Sequence, residues 1–326
     1  MSQPAADENP ASPSDGARAF SRLSVYGDLW SRFMDWGVCR CPYFLEPPLA
    51  FGYTLVFFLL AGRQRRAVQR NLAVLLEASS RTVNFLRSFR VFWEFAWMLA
   101  DAARSRHGER ALSWELEGAE HFHTLAASKE GVIVLTAHMG SYDVAAPFFA
   151  SKLGRRLTTV RVPDRQTDLQ AYRNKERVAQ QSETFRIRYN EPGAFLGVEL
   201  AQALAAGEVI ALQGDRVPDD VSPLLALRHG HAWLLPRGPF VLAQATGAAI
   251  YPIFILRMGW RRYRIVVWPP RQPSVADSRE GRERELRALG EWWSGVLERM
   301  LRKNWWRWHA FEDFFQKPET APPEGP

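Results

Sequence analysis

The sequence predicts an α/β fold, a mixed and largely parallel central sheet flanked by helices, with a helical segment ahead of it. Three observations carry this reading. Short apolar runs alternate with helix-patterned segments from Trp114 to Lys303, the order that builds a parallel sheet with crossover helices. At 326 residues and 47% hydrophobic, the chain can bury a large core. No internal repeat divides it.

The elements follow in order. Residues 1–19 are rich in Pro, Ser, Asp and Glu without an apolar pattern, and are expected to be a disordered tail. Their acidic character does not fit a cleavable signal peptide. Residues 20–105 are expected to form an N-terminal helical segment that associates with membrane. Its strongest apolar stretch, Pro47 to Gly62, is shorter than the roughly 20 residues that span a bilayer. Arg63-Gln-Arg-Arg66 follows at once. The stretch reads as an interfacial or re-entrant anchor with a basic collar on the cytoplasmic side, a buried core helix being the alternative. Ala67–Leu76 and Val83–Met98 carry helical spacing of apolar positions.

Residues 106–316 are expected to be the α/β domain. Trp114–Gly118 reads as a strand and turn, Ala119–Ser128 as a helix, and Val132–Leu135 as a buried strand. Strand Leu157–Val162, polar helix Leu169–Gln181, strand Arg186–Tyr189 and helix Ala194–Ala205 follow. Val209–Gln213 is a second buried strand. Helix Phe240–Thr246, strands Ala249–Leu256 and Tyr263–Trp268, and a long Arg/Glu helix, Ser278–Lys303, complete the domain. Residues 317–326 are expected to be a disordered tail.

Composition narrows the function. Thirteen Trp and twenty Phe place some rings at a surface, where they suit a membrane interface or an acyl groove. The net charge of +7 fits anionic headgroups or an acidic carrier protein. No nucleic-acid-binding signature accompanies it. The two cysteines, Cys39 and Cys41, form no disulfide framework. His121-Phe-His123 and His229-Gly-His231 lack a convincing third ligand, so no metal site is expected.

The most informative segment is Val132–Phe149. Its strand ends at Thr136-Ala137-His138, and a helix opens near Gly140-Ser141. On one helix, residues five apart would lie roughly 140° apart. With His138 in the turn and Asp143 in the first helical turn, the carboxylate can fold back onto the imidazole, as in a general base held by an orienting acid. Gly140 and Ser141 lie in the turn, where a small residue and free amides would admit a thioester and stabilise an oxyanion. A plain tight turn is the alternative.

His-x-x-x-x-Asp after a buried strand resembles the glycerolipid acyltransferase superfamily, and most closely its lipid A late-acyltransferase branch. The likeness runs from about residue 20 to residue 316 and includes Arg70-Asn71-Leu72 ahead of an aromatic helix. It implies that Arg161, in Thr-Val-Arg-Val-Pro-Asp, meets a polar or phosphate group of the acceptor. It also implies that Arg216 binds substrate anion and that Asp215 holds its loop. Many members of the branch carry a second Asp where Arg216 stands. Pro236–Phe240 and Ala243–Pro252 resemble a fourth block that shapes the acyl pocket. The segment Trp305–Phe315 resembles the aromatic tail of relatives from aryl polyene-type lipid clusters, either resting on the bilayer or packing on the core.

The resemblance implies an O-acyltransferase. It would move a fatty acyl chain from an acyl-carrier-protein or CoA thioester to a hydroxyl of a lipid-linked acceptor. His138 would be general base, oriented by Asp143, with no cofactor. The expected setting is the cytoplasmic face of a bacterial inner membrane, held peripherally or monotopically. A lysophospholipid or ornithine-lipid acyltransferase, or a non-catalytic lipid-binding relative, are the alternatives.

Overall fold

A computed structural model describes residues 37–38, 40–76, 79–106, 113–140, 142–161, 182–190, 195–217 and 222–317. Among the described residues, three long helices precede the sheet: α1 (Glu46–Leu60), α2 (Gly62–Leu75) and α3 (Arg81–Arg106). Pro47 and Pro48 open α1, where a missing N–H costs nothing. One side of α1 packs Phe57 and Phe58 against Phe92 of α3. The opposite side leaves Leu49, Val56, Leu59 and Leu60 exposed, with Phe44 before it and Phe85 and Leu86 of α3 nearby in the same layer. Among the described residues no helix is long and apolar enough to cross a membrane.

The sheet begins with β1 (Ser113–Glu117), then α4 (Ala119–Ala127), β2 (Val132–Thr136), α5 (Tyr142–Leu153), β3 (Leu157–Arg161) and β4 (Phe185–Tyr189). It continues through α6 (Leu196–Ala205) to β5 (Val209–Gln213). A hairpin, β6 (Pro223–Arg228) and β7 (His231–Pro236), leads to α7 (Gly238–Thr246). Then come β8 (Ala249–Gly259), β9 (Arg262–Val267), α8 (Arg279–Asn304) and a short β10 (Phe315–Gln316). Seven strands pair in the order β1-β9-β8-β2-β5-β3-β4; only the β8–β9 pairing is antiparallel. A second, antiparallel sheet is β10-β7-β6.

The sequence places nearly every strand and helix of the large sheet within a few residues. The expected helix Leu169–Gln181, the expected tail 1–19, the start of the expected helical segment at 20–36 and all of the expected tail 317–326 but Lys317 lie outside the described residues. The β6–β7 hairpin goes unpredicted, because Leu224–Leu227 and Trp233–Leu235 are short. Its turn rests on His229 and Gly230, both at positive φ (51° and 72°), the backbone a two-residue hairpin turn needs. His229 bonds Glu298 through Nε2 at 2.7 Å, and His231 Nδ1 reaches the His229 carbonyl at 2.9 Å. Among the described residues no three His, Cys, Asp or Glu side chains gather as a metal site.

Strand alternation divides the core. Val132, Val134 and Val209 face one layer, where α4 supplies Leu125 and α5 supplies Phe149, Ala150 and Leu153. Ile133, Leu135 and Ile210 face the other, filled by α6, α7, α8 and the hairpin. The chain thus leaves β2 onto one face and β5 onto the opposite face. Adjacent parallel strands with connections departing to opposite sides open a crevice at their carboxyl ends. His138 follows β2 at that point.

The N-terminal helices are fixed to this body by buried polar links. Asp101 of α3 accepts from Arg257 Nε at 3.1 Å and from the Tyr263 hydroxyl. Arg257 lies over Trp97, 4.9 Å from its ring centre, and Arg104 pairs with Glu46.

Candidate active site

β2 and β5 run parallel in register, Thr136 opposite Gln213. Gly214 extends the pairing, donating to the Thr136 carbonyl at 2.8 Å. Its own carbonyl accepts from Trp293 Nε1 at 2.7 Å. A side chain at Gly214 would sit 2.7 Å from that nitrogen and 2.8 Å from Leu135 Cδ1, so only glycine lets the two turns approach. Asp215 and His138, each two residues beyond its strand, are thereby brought face to face.

The contact is close. Asp215 Oδ1 lies 2.7 Å from His138 Nδ1. Oδ2 accepts from the His138 amide at 3.0 Å and from Trp308 Nε1 at 3.1 Å. The Asp215 side chain has no accessible surface, whereas that of His138 keeps 24%. A dry carboxylate therefore grips one nitrogen of a ring that keeps part of its surface exposed. Burial pushes the Asp215 carboxyl up, yet the His138 ring, the His138 amide and Trp308 outweigh it and hold the group below its ordinary value. With Nδ1–H given to Asp215, Nε2 carries the lone pair and can accept a proton.

A strap formed by Trp305–Phe315 closes this turn from behind. His309 donates its amide to the His138 carbonyl at 2.9 Å, and Gly140 donates to the Arg307 carbonyl at 3.2 Å. Arg307 in turn donates through Nε to the Arg257 carbonyl at 2.7 Å. Phe311 packs on Phe92 and Phe95 of α3. Asn71 Nδ2 donates to the carbonyls of Ala310 and Glu312, and Arg70 forks onto Asp313. The His309 ring stacks near Phe311 and against the edge of Phe95. Burial, and then the positive charge of a protonated His138, lower its pKa to about 3, so it stays neutral.

The sequence expectations land unevenly on this geometry. His138 stands where a base is required. Asp143 is the second residue of α5, one short turn after His138, but its side chain and the whole of Ser141 lie outside the described residues. Asp215 does more than hold its loop, since it grips the imidazole. Gly140 takes a different part from the one expected. At φ +61°, its absent side chain faces the Ile255 carbonyl, which a Cβ would meet at 1.8 Å, and its amide is engaged by Arg307. Arg161 ends β3, with its carbonyl accepting from Asn190 at 2.8 Å. β5 separates it from β2. Arg216 is exposed and pairs with Glu312 at 3.3 Å.

Two residues escape the sequence reading altogether. Trp308 and His309 sit in what reads as an aromatic stripe, yet Trp308 is buried against Trp233 and Phe314 and bonds Asp215. Nothing in the spacing links them to a turn about 170 residues earlier. The signal for Asp215 was present: two five-residue apolar runs, Val132–Thr136 and Val209–Gln213, each lead into a short turn bearing one of the pair.

Comparison with known proteins identifies the family. The family model described as bacterial lipid A biosynthesis acyltransferase matches residues 16–317. Comparison with curated proteins gave no match. Among solved structures, the chain is similar to the 1-acyl-sn-glycerophosphate (LPA) acyltransferase PlsC from Thermotoga maritima. That likeness has 16% identity and a TM-score of 0.35, over 78% of this chain and 99% of that one. A family match across almost the entire chain means that this protein belongs to the bacterial lipid A biosynthesis acyltransferases and is an acyltransferase.

Proposed function

We propose that the protein transfers a fatty acyl chain from the thioester of acyl-carrier protein or CoA to a hydroxyl of a lipid-linked acceptor. The observation that carries this reading is the His138 ring, 24% exposed and held at Nδ1 by the dry Asp215 carboxylate 2.7 Å away. His138 Nε2 takes the acceptor's hydroxyl proton as that oxygen attacks the thioester carbonyl carbon. The tetrahedral intermediate collapses, the C–S bond breaks, and the imidazolium returns its proton to the leaving thiolate. Asp215 fixes the tautomer and offsets the imidazolium charge. Asp143, at the start of α5, is assigned the same orienting role as a second carboxylate. No metal or bound cofactor takes part.

Arg161 and Arg216 are assigned to anionic groups of the substrates, for which guanidinium is suited. The exposed apolar side of α1, joined by Phe44, Phe85 and Leu86, supports a peripheral or monotopic seat on the cytoplasmic face of an inner membrane. Ser141 is assigned to substrate binding.

The test is transfer of labelled acyl chain from acyl-carrier protein, and separately from CoA, into a bacterial lipid extract. Product is expected from wild type and lost in His138→Ala, and its mass identifies the acceptor. Product of equal amount from His138→Ala would overturn the mechanism.

A further inference from the structure

Acyl transfer requires a donor for the oxygen that becomes negative when the thioester is attacked. The turn after β2 does not supply one from residues 138–140. The His138 amide is given to Asp215, the Met139 amide to the Ala137 carbonyl at 2.7 Å, and the Gly140 amide to Arg307. A side-chain donor at the same strand end can take that part.

Gln213 meets the requirement. It is the last residue of β5, in register with Thr136 and two residues before Asp215. By strand alternation it lies on the face of Val209 and Ala211, the face covered by α5. Its Nε2 is buried and has no hydrogen-bond partner. A buried donor left without an acceptor destabilises the fold, and folded proteins keep few of them. Gln213 as a whole is only half-buried. Trp233 Nε1 and Trp306 Nε1, also without a hydrogen-bond partner, are single rigid donors on aromatic rings.

We infer that the Gln213 carboxamide is a catalytic hydrogen-bond donor to the thioester carbonyl oxygen, strongest when that oxygen is an oxyanion. This rests on the acyl-transfer reading. The same residue would serve whether the attacking group is a lipid hydroxyl or water, because the acyl carbonyl is common to both reactions.

The experiment compares wild type with Gln213→Met, close in shape but without the donor. Acyl transfer to the lipid extract and slow hydrolysis of the same acyl thioester by water are measured side by side, with melting temperature. The expected result is a fall in kcat of about 100- to 1,000-fold in both reactions. KM should hardly change, and melting should be unchanged or higher because an unmade hydrogen bond has been removed. Gln213→Glu, which places a negative charge at the same spot, is expected to lose as much, and serves as readout if Gln213→Met does not fold. Loss of transfer with normal hydrolysis would overturn the inference, since the residue would then contact the acceptor. Activity within tenfold of wild type in both reactions would overturn it as well. A wild type that neither transfers nor hydrolyses would overturn the acyl-transfer reading itself, and the inference with it.

Discussion

Replacing Asp215 by Asn tests the core of the site. The carboxylate takes three donors, two of them on Oδ2. The asparagine carbonyl can keep the His138 amide and Trp308 Nε1, so the fold has little reason to change. Its NH₂ group then faces His138 Nδ1, which must become an acceptor, and the ring's proton moves to Nε2. In that tautomer His138 cannot take a proton from the acceptor. Restoring the useful tautomer sets two donors against each other, at about 1–3 kcal/mol. The imidazolium formed in the reaction also loses a carboxylate, about 4 kcal/mol for unit charges about 4 Å apart at an effective dielectric near 20. These partly overlap, and about 5 kcal/mol corresponds to a loss between about 10³- and 10⁴-fold. The assay is steady-state acyl transfer, with kcat and KM separated and melting checked. The loss should fall on kcat. Wild-type kcat in Asp215→Asn would refute the reasoning, and if Asp143→Asn alone abolished transfer, the orienting acid would be Asp143.

Three further outcomes follow from the same geometry. Trp308→Phe keeps the packing but removes one of the donors on Oδ2, so the Asp215 pKa rises and kcat falls by less than in Asp215→Asn, about tenfold; unchanged kcat and acid-unfolding midpoint would show that the indole nitrogen is idle. Gly140→Ala meets the Ile255 carbonyl at 1.8 Å in a left-handed backbone. It should lose more than about 2 kcal/mol, measured as a denaturant midpoint shift at constant m-value. His309 is neutral when folded, with a pKa lowered to about 3 from 6.5. The unfolded chain therefore binds more protons between those values, and the His309 contribution is fully present above pH 6.5 and lost as pH falls toward 3. His309→Phe should remove as much as about 1.4 kcal/mol per pH unit of that slope, and an identical pH dependence of wild type and variant in urea titrations would refute the assignment.

Much of the fold is legible in the sequence because its signals are local. Val132–Thr136 and Val209–Gln213 are apolar on both faces since both faces are covered, and that shows as a continuous apolar run. Helix α8 is readable from Ser278, whose hydroxyl caps the Gly281 amide at 3.0 Å, to Arg302 and Lys303 in its last turn. The hairpin β6–β7 is not, because its strands are short and its turn uses His229 rather than Asn or Asp. His138 was visible for the same local reason as its strand. Its contact with Asp215 was not, because nothing near His138 in sequence points to residue 215, and it is the pairing of β2 with β5 that brings Asp215 to Nδ1.

The sequence by itself determined the class of fold, the strand that delivers the base, and the family signature around it. These are encoded by periodicity and by residue type over a few neighbouring positions. Only the tertiary structure decided which groups surround the base. Asp215 lies 77 residues from His138 and Trp308 a further 93 beyond, and separations that long are joined by sheet register and by the strap packed across α2 and α3. Glycine at 214 admits that approach, and burial then sharpens it, since a carboxylate withdrawn from water must be satisfied by the donors the fold has gathered.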